Sequence, residues 1–487
     1  MTATITSAAP GAAPAKPAPT TLRAAAPALL ALCLAMLVEM VDNSILTVAL
    51  PTIGRDLGVG ATGLQWIVGA YSLTFGGLLL VGGTLGDKLG RRRVLLWGLA
   101  GFGLSSMLVL AAESEWQLIA IRALCGAFAA LMAPGTMSLV FRLFDDSALR
   151  GRAIGLIVSV AMVGVAVGPA LGGLAVEHFP WQVLMVASAP AAALAWWGVH
   201  RGIAPDRPED RRPGGADLPG AVLSVTAIAC GLSAFTVAVE QGWLAWQTLG
   251  TAVLALVAGA GFVARERHAA DPMLDLGLFA RPTVRGSALL QTAVMVAMVG
   301  VSFASTQLFQ YAWGWSPMTA GLATLPLVAG MFVGAPLTDA LMQRFGHRRT
   351  ALVGCAGVVG SLLLLIASMS SYAWFAVGLL VLAAGMRLVM TTSAVALIEA
   401  LPGDHTSLGS ALNDTAQELG NSVGVAVIGT VTAAVMGTGL PTGRWSDAGV
   451  DEFLRSQRIG FAILAGVVAV IAVIGGRTLT NSTTTEE

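Results

Sequence analysis

Two acidic side chains, Glu39 and Asp42, lie inside the first long apolar stretch of the chain. They are three residues apart, so a helix places them on one face. A charged group in the middle of a membrane helix costs roughly 2.5–3.5 kcal/mol, and such groups usually have a function. A carboxylate removed from water can bind and release a proton near neutral pH. Glu39 and Asp42 are therefore candidate proton-binding groups, and a structural pair with a cation is the alternative.

Further charged residues interrupt later apolar stretches. Arg122 and Arg387 each fall within one, and a buried arginine needs an acidic partner. Asp414, Glu418 and Asn421 have the spacing i, i+4 and i+7, which predicts one polar stripe on a helix. The stripe either faces a substrate or is a solvated helix end. We expect Arg387 to pair with Asp414 or Glu418 and to adjust the preference for substrate charge.

The composition indicates a membrane protein. Of 487 residues, 56% are hydrophobic and 11% are charged, whereas a soluble protein carries about 25% charged residues. The four cysteines fall singly in apolar segments, and the histidines form no ligand cluster, so no metal site is expected. The sequence has no phosphate-binding loop of the GxxxxGK[ST] type. We therefore expect no cofactor and no ATP hydrolysis, and energy would come from an ion gradient.

Runs of about 20 apolar residues, long enough to span a bilayer, recur along the whole chain. Backbone polar groups in lipid must be satisfied internally, so each run is expected to form a helix. With an even number of spans and a cytoplasmic N-terminus, most of the 27 lysines and arginines fall on the cytoplasmic side. Both termini are therefore expected in the cytoplasm. The fourteen runs are 27–50, 63–85, 93–112, 117–141, 152–175, 182–200, 217–238, 246–264, 286–311, 320–342, 349–369, 372–398, 406–435 and 459–477.

A short hydrophilic interruption joins the second and third runs. Its glycines permit a tight turn, and an acid precedes a basic cluster. This loop resembles the signature between helices 2 and 3 of the major facilitator superfamily of secondary transporters. The resemblance implies control of an inward gate, with Asp87 capping a helix of the other half or pairing with Arg91. The residues concerned are Gly83, Gly86, Asp87, Gly90, Arg91 and Arg92.

Three further segments resemble the superfamily. Asp42, followed by a short polar run and Ala-Leu-Pro, matches the helix-1 acid of the fourteen-helix drug:proton antiporter family. Arg122, four residues before Gly126, resembles an arginine that tunes a neighbouring acid and couples protonation to conformational change. The helix-5 segment matches an antiporter motif, although close packing of small residues is the alternative; its residues are Gly164, Gly168, Pro169, Gly172 and Gly173.

The segment around Glu418 and Asn421 resembles the quaternary-ammonium and multidrug exporter branch, in which acids on this helix are linked to cationic drug recognition. The resemblance implies an all-α membrane protein of two six-helix bundles with two inserted helices. It divides the chain into a disordered cytoplasmic tail (1–22), an N-terminal bundle (23–202), linkers with the inserted pair (203–282), a C-terminal bundle (283–480) and a short tail (481–487).

The predicted function is proton-coupled export of hydrophobic, cationic drugs by alternating access. Interior acids outnumber interior arginines, which favours cationic substrates. The predicted partners are the substrate, protons and the lipid bilayer, without nucleic acid or ATP, and a monomer is expected. Three alternatives remain: a dedicated exporter of one metabolite or self-made antibiotic, an importer or facilitator, and a membrane sensor or scaffold that transports nothing. The motif in helix 5 disfavours the importer, and buried charges in both halves disfavour the scaffold.

Overall fold

The protein is a bundle of long helices. The computed structural model describes residues 21–23, 25–144, 146–207, 217–269, 277, 280–399, 406–437 and 445–478, and within them the regular structure is helical. The helices are α1 (Ala26–Leu57), α2 (Ala61–Leu89), α3 (Arg91–Met107), α4 (Glu115–Leu143), α5 (Ser147–His178), α6 (Trp181–Val186), α7 (Ser188–Gly202), α8 (Leu218–Gln241), α9 (Trp246–His268), α10 (Pro282–Gln307), α11 (Pro317–Leu322), α12 (Leu325–Ala367), α13 (Tyr372–Glu399), α14 (Thr406–Met436) and α15 (Asp447–Thr478).

The helices are long and apolar enough to cross a membrane repeatedly. By length and composition the described residues contain 11 such helices, or 12 when the bent α2 is one span. The helix α12 contains a break at Gly346, whose φ is 75°, so its two parts run in different directions. Each of the fourteen predicted apolar runs overlaps a helical segment, and the predicted all-α polytopic fold is confirmed. The number of fourteen crossings stays a prediction.

Glycines set the distances between the helices that carry the interior charges. A Cβ at Gly126 of α4 would collide with the Tyr71 carbonyl and with Thr74 Oγ1 of α2. Thr74 Oγ1 donates a hydrogen bond to the Ala123 carbonyl at 2.8 Å, which ties the two helices together at the same level. The backbone of α2 therefore lies directly against α4 one turn from Arg122.

The helices α8 and α9 pack on each other, and α8 also contacts α2 and α14. Three buried polar side chains, one each from α2, α8 and α14, form hydrogen bonds with one another. Gln65 Nε2 of α2 donates to Thr236 Oγ1 of α8 at 3.1 Å, and Thr430 Oγ1 of α14 donates to Gln65 Oε1 at 3.1 Å. The two hydroxyls are 3.2 Å apart. The first helix of the predicted inserted pair thus lies against one helix of each predicted bundle.

The predicted domain boundaries remain predictions. Most of the predicted tail at 1–22, all of 481–487 and the linker residues 208–216 lie outside the described residues. By the predicted boundaries, α1–α7 would belong to the N-terminal bundle and α10–α15 to the C-terminal bundle.

Because α2 and α4 approach so closely, one methyl group added at Gly126 should destabilise the protein. Gly126→Ala should cost about 1–3 kcal/mol of folding free energy, because the added Cβ meets backbone atoms that cannot move independently. Thermal unfolding in detergent, followed by a thiol-reactive fluorophore that labels the buried Cys33 and Cys355, measures the loss. Gly231→Ala in α8 is the matched control, since its Cβ would meet nothing within 4 Å. Equal unfolding temperatures for the two variants would contradict this packing.

Candidate functional site

A buried ion pair lies at the centre of the N-terminal helices. Arg122 Nη1 of α4 contacts Asp42 Oδ2 of α1 at 2.6 Å, and both side chains are almost completely removed from solvent. The remaining guanidinium nitrogens, Nε and Nη2, have no hydrogen-bond partner among the described residues. Asp42, predicted as a proton-binding acid, and Arg122, predicted to tune a neighbouring acid, are therefore in direct contact.

Tyr71 of α2 covers this ion pair and was missed by the sequence analysis. The guanidinium carbon of Arg122 lies 4.5 Å from the centre of the Tyr71 ring, within cation–π range. The ring also stacks on Phe75 at a centroid distance of 5.8 Å. Its position inside an apolar run could have identified it, because a buried tyrosine hydroxyl usually needs a polar partner.

Acids from both predicted bundles approach one another. Glu39 is buried on α1 and has no basic partner within the described ranges. It interacts electrostatically with Glu418 and Asp414 of α14 as well as with Asp42 of its own helix. Glu418 Oε1 accepts a hydrogen bond from Asn421 Nδ2 at 3.0 Å, and the Asp414 carboxylate accepts one from Gln417 at 3.4 Å. The predicted proton-binding and substrate-binding acids therefore face a shared interior.

Two glycine contacts place Glu418 in that interior. A Cβ on Gly76 of α2 would lie 2.6 Å from the Glu418 Cβ, so the acid sits directly against α2. On the other side of α14, a Cβ on Gly420 would lie 2.6 Å from the Thr292 carbonyl of α10. Thr292 Oγ1 donates to the Ala416 carbonyl at 3.0 Å across the same contact. The helix α14 is thus held between α2 and α10 at the level of its acids.

Arg387 of α13 does not join this group. The structure records no ion pair between Arg387 and Asp414 or Glu418 within the residues it describes. Arg387 instead packs its Cβ against Gly334 of α12, and its Nε is buried without a hydrogen bond to any described residue. The expected pairing with the α14 acids is therefore not seen.

The signature loop joins α2 to α3. We call the end of the bundle that carries its arginines, Arg91, Arg92 and Arg93, the basic end. Asp87 Oδ1 accepts hydrogen bonds from Arg91 Nε at 3.0 Å and from Arg91 Nη2 at 2.8 Å. Both side chains are about one-third exposed, and pairs of this kind contribute little to stability. Of the two partners predicted for Asp87, the structure shows Arg91.

A different acid, Asp206, caps α3. It follows α7, and its carboxylate accepts hydrogen bonds from the Arg92 and Arg93 amides at 3.2 and 3.0 Å. Arg142 at the end of α4 donates to the same carboxylate at 2.7 Å. Gly90 has a φ of 106°, and Asp206 fills the space that a Cβ would need, so glycine is required there for two reasons. The carboxylate also compensates the positive end of the α3 dipole.

Asp206 was not among the predicted site residues because the composition of its segment is that of a linker. Several acids and prolines follow one another there, and no local spacing separates the capping acid from its neighbours. Arg92 is held at the same place, since its Nη2 donates to the His200 carbonyl at 2.6 Å. The signature loop is therefore fixed by residues more than 100 positions later in the chain.

The glycines of the helix-5 motif face two partners. Gly164, Gly168 and Gly172 lie against α1, where added Cβ atoms would meet Met40, Ser44 and Ile45 among other residues. Gly173 instead lies against the backbone of Pro317 and Met318 in α11, and Gly321 of α11 lies against the Pro169 carbonyl.

Other contacts join the predicted bundles at this end, which is opposite the basic end. Glu177 Oε1 accepts a hydrogen bond from the Met318 amide at 3.2 Å. The π-helical turn after α10 supplies Gln310, whose Nε2 donates to the Val48 carbonyl at 2.9 Å. The bundles are thus closed on each other at the end opposite the basic loop.

The fold and these interior charges define a multi-pass membrane protein of the transporter class. A family model described as Major Facilitator Superfamily matches residues 32–424 and 287–486, so the chain belongs to this superfamily. Solved transporters have the same fold at low identity. A bacterial homolog to human lysosomal transporter Spinster, in an inward-facing and unoccupied conformation, has a TM-score of 0.64 at 16% identity and covers 93% of this chain and 97% of its own.

Curated relatives cover nearly the whole chain. The multidrug efflux pump LfrA of Mycolicibacterium smegmatis is 35% identical over 93% of this chain and 89% of its own length. The puromycin resistance protein pur8 of Streptomyces alboniger is 34% identical over 90% of this chain and 88% of its own. The multidrug resistance protein Stp of Mycobacterium tuberculosis is 32% identical over 83% of this chain and 75% of its own.

Substitutions of Asp206 should lower the stability of the fold to different degrees. Asp206→Ala should lower the stability by about 0.5–2 kcal/mol, because α3 loses its cap and Arg142 loses its partner. Asp206→Asn should lower it less, because an amide oxygen still accepts the two backbone hydrogen bonds. Thermal unfolding in detergent measures both variants, with Asp451→Ala on the exposed start of α15 as the control. Wild-type stability of Asp206→Ala would refute the capping role.

Proposed function

We propose that the protein is a proton-coupled antiporter that exports hydrophobic, cationic small molecules by alternating access. The observation that supports it best is the convergence of four acids in one interior: Glu39 interacts electrostatically with Asp42 of its own helix and with Asp414 and Glu418 of α14. Asp42 is in turn paired with the buried Arg122. Because Asp42 balances that cation, Glu39 and Glu418 make the interior negative whenever they are ionised. A negative, partly apolar interior attracts cations and stabilises them by Coulomb interaction.

The acids divide into two groups by their partners. Asp42 is ion-paired to Arg122, so a proton on Asp42 would break the pair and change the contact between α1 and α4. Glu39 and Glu418 come from different bundles and interact with each other rather than with a basic residue of the described ranges. We assign proton coupling to Asp42 and Arg122, and binding of the substrate cation to Glu39 and Glu418, with Asp414 and Asn421 beside them.

The relatives support this proposal. LfrA and Stp are named as a multidrug efflux pump and a multidrug resistance protein. We place the chain in the fourteen-helix, quaternary-ammonium branch of drug:proton antiporters, with both termini in the cytoplasm and the basic end facing it. In that orientation the contacts of Gly173 and Gln310 close the outer side, and the Asp87–Arg91 loop lies at the inward gate. We expect the protein to transport as a monomer.

A dedicated exporter of one antibiotic is the second candidate. Relatives named for a single antibiotic favour it: the tetracenomycin C resistance and export protein of Streptomyces glaucescens is 29% identical over 93% of this chain and 84% of its own length. Both candidates use the same acids for coupling. They differ in substrate range, which a panel of structurally unrelated cations separates.

The assignment of Asp42 predicts loss of coupling in Asp42→Asn. The amide cannot bind and release the proton, so ethidium export driven by a pH gradient should fall at least about a hundredfold, the lower range for removal of an acid–base group. Everted vesicles with matched protein content measure this export. Glu452→Gln, an exposed acid on α15, should transport like the wild type.

The outcomes for Asp42→Asn separate the alternatives. Unchanged gradient-driven export would move the proton site to Glu39, Asp414 or Glu418. A properly inserted wild-type protein that exports no member of a panel of cations would refute the proposal of polyspecific export and favour the dedicated exporter.

The assignment of Glu418 predicts a change in selectivity. Glu418→Gln should raise the KM for ethidium by roughly tenfold or more, since it removes one partner of a desolvated charge pair. The KM for Nile red, an uncharged hydrophobic dye, should stay within about twofold if Nile red is transported, because apolar contacts are unchanged. Asp451→Asn is the matched control. Equal changes in both KM values would argue against a cation site at Glu418.

A further inference from the structure

Tyr71 neighbours both Arg122 and Glu39. Its ring stacks on the guanidinium at 4.5 Å, and the side chain interacts electrostatically with Glu39 and Asp42 of α1 and with Glu418 of α14. The residue is 2% exposed, and its hydroxyl has no hydrogen-bond partner among the described residues. The close α2–α4 contact at Gly126 fixes the backbone of Tyr71, which carries this ring.

Arg122 could serve either acid of α1. Glu39 and Asp42 are on one face of the helix, and a guanidinium has five N–H donors in a planar fork. Arg122 nevertheless pairs with Asp42 and leaves Nε and Nη2 without partners among the described residues. The other groups that act on Arg122 are Cys125 on its own helix and Tyr71 of α2, whereas the α14 acids Asp414 and Glu418 act on Glu39.

We propose that Tyr71 is a positioning residue that keeps Arg122 on Asp42 and away from Glu39. The ring fills the space through which the guanidinium would reach Glu39 and gives the cation a second partner in its present position. Tyr71 thereby leaves Glu39 without a basic partner among the described residues, so that its carboxylate is available to a substrate cation. This inference rests on the proposed function, since it assumes that Asp42 carries the proton and that Glu39 binds the cation.

Loss of the ring has two linked consequences. Without it, Arg122 turns toward Glu39 whenever Asp42 is protonated, which stabilises the protonated form of Asp42. The midpoint of the pH dependence of transport therefore moves to higher pH. At the same time Arg122 screens Glu39, so a cationic substrate binds more weakly, whereas an uncharged substrate is not affected by that screening.

The test compares Tyr71→Leu, which removes the ring, with Tyr71→Phe, which keeps it. In everted vesicles, Tyr71→Leu should raise the KM for ethidium by about tenfold and shift the pH midpoint upward by about one unit, equivalent to one tenfold change in proton affinity. Tyr71→Phe should stay within about twofold of the wild type, because the cation–π contact uses the ring face. The KM for Nile red, where it is transported, should not change.

A double-variant cycle keeps the inference testable if Tyr71→Leu is also less stable. In a Glu39→Gln background the acid that Arg122 would reach is gone, so adding Tyr71→Leu should not raise the KM for ethidium further. Additive effects would overturn the inference. So would a Tyr71→Leu protein with reduced Vmax but wild-type KM and pH midpoint, or Tyr71→Phe that behaves like Tyr71→Leu. Each of these is observed on an active wild type, whereas an inactive wild type would contradict the proposed function itself.

Discussion

The ion pair between Asp42 and Arg122 is the interaction on which the interior depends. Removing two charges from water is costly, and their attraction offsets that cost only when the geometry is close. The surrounding packing provides this geometry: Gly126 allows α2 to touch α4, and Gly164 and Gly168 allow α5 to touch α1. Removing one partner of such a pair leaves an uncompensated buried charge, which costs far more free energy than the loss of a surface pair. A proton on Asp42 has the same electrostatic effect on Arg122 and can therefore drive a rearrangement.

The same constraint explains why acids of the two bundles can remain near one another. Glu39 and Glu418 repel when both are charged, and the helix packing still brings them into one interior through Gly76 and Gly420. A cation, or a proton on one of the acids, relieves that repulsion. In the proposed antiporter, a substrate cation and a proton would compete for this same negative charge. This competition requires no contact between the proton and the substrate.

Much of this site could be predicted from sequence because interior charges are rare in apolar helices. Glu39, Asp42, Arg122 and Glu418 were identified by that rarity, and the i, i+3 spacing put the first two on one face. The partners were harder to predict. Arg387 was expected to meet the α14 acids, yet it packs on Gly334, because helix rotation in the bundle decides which face is central. Tyr71 and Asp206 were missed because their roles come from residues 51 and 114 positions away, at Arg122 and Arg92.

The basic end shows how one local geometry is stabilised differently in each bundle. Gly90, between α2 and α3, and Gly346, at the break inside α12, both adopt positive φ between consecutive helical segments. In the first bundle Asp206 caps the following helix and draws Arg142 to it. In the second, Arg348 Nε donates to the Gly476 carbonyl near the end of α15 at 2.7 Å. Both interactions involve an ionised side chain, so both are charge-assisted. They differ in what they join: the Asp206 carboxylate accepts from two amides of α3 and from Arg142 of α4, and so ties both helices to the segment that follows α7, whereas the Arg348 bond ties the second half of α12 to the end of α15.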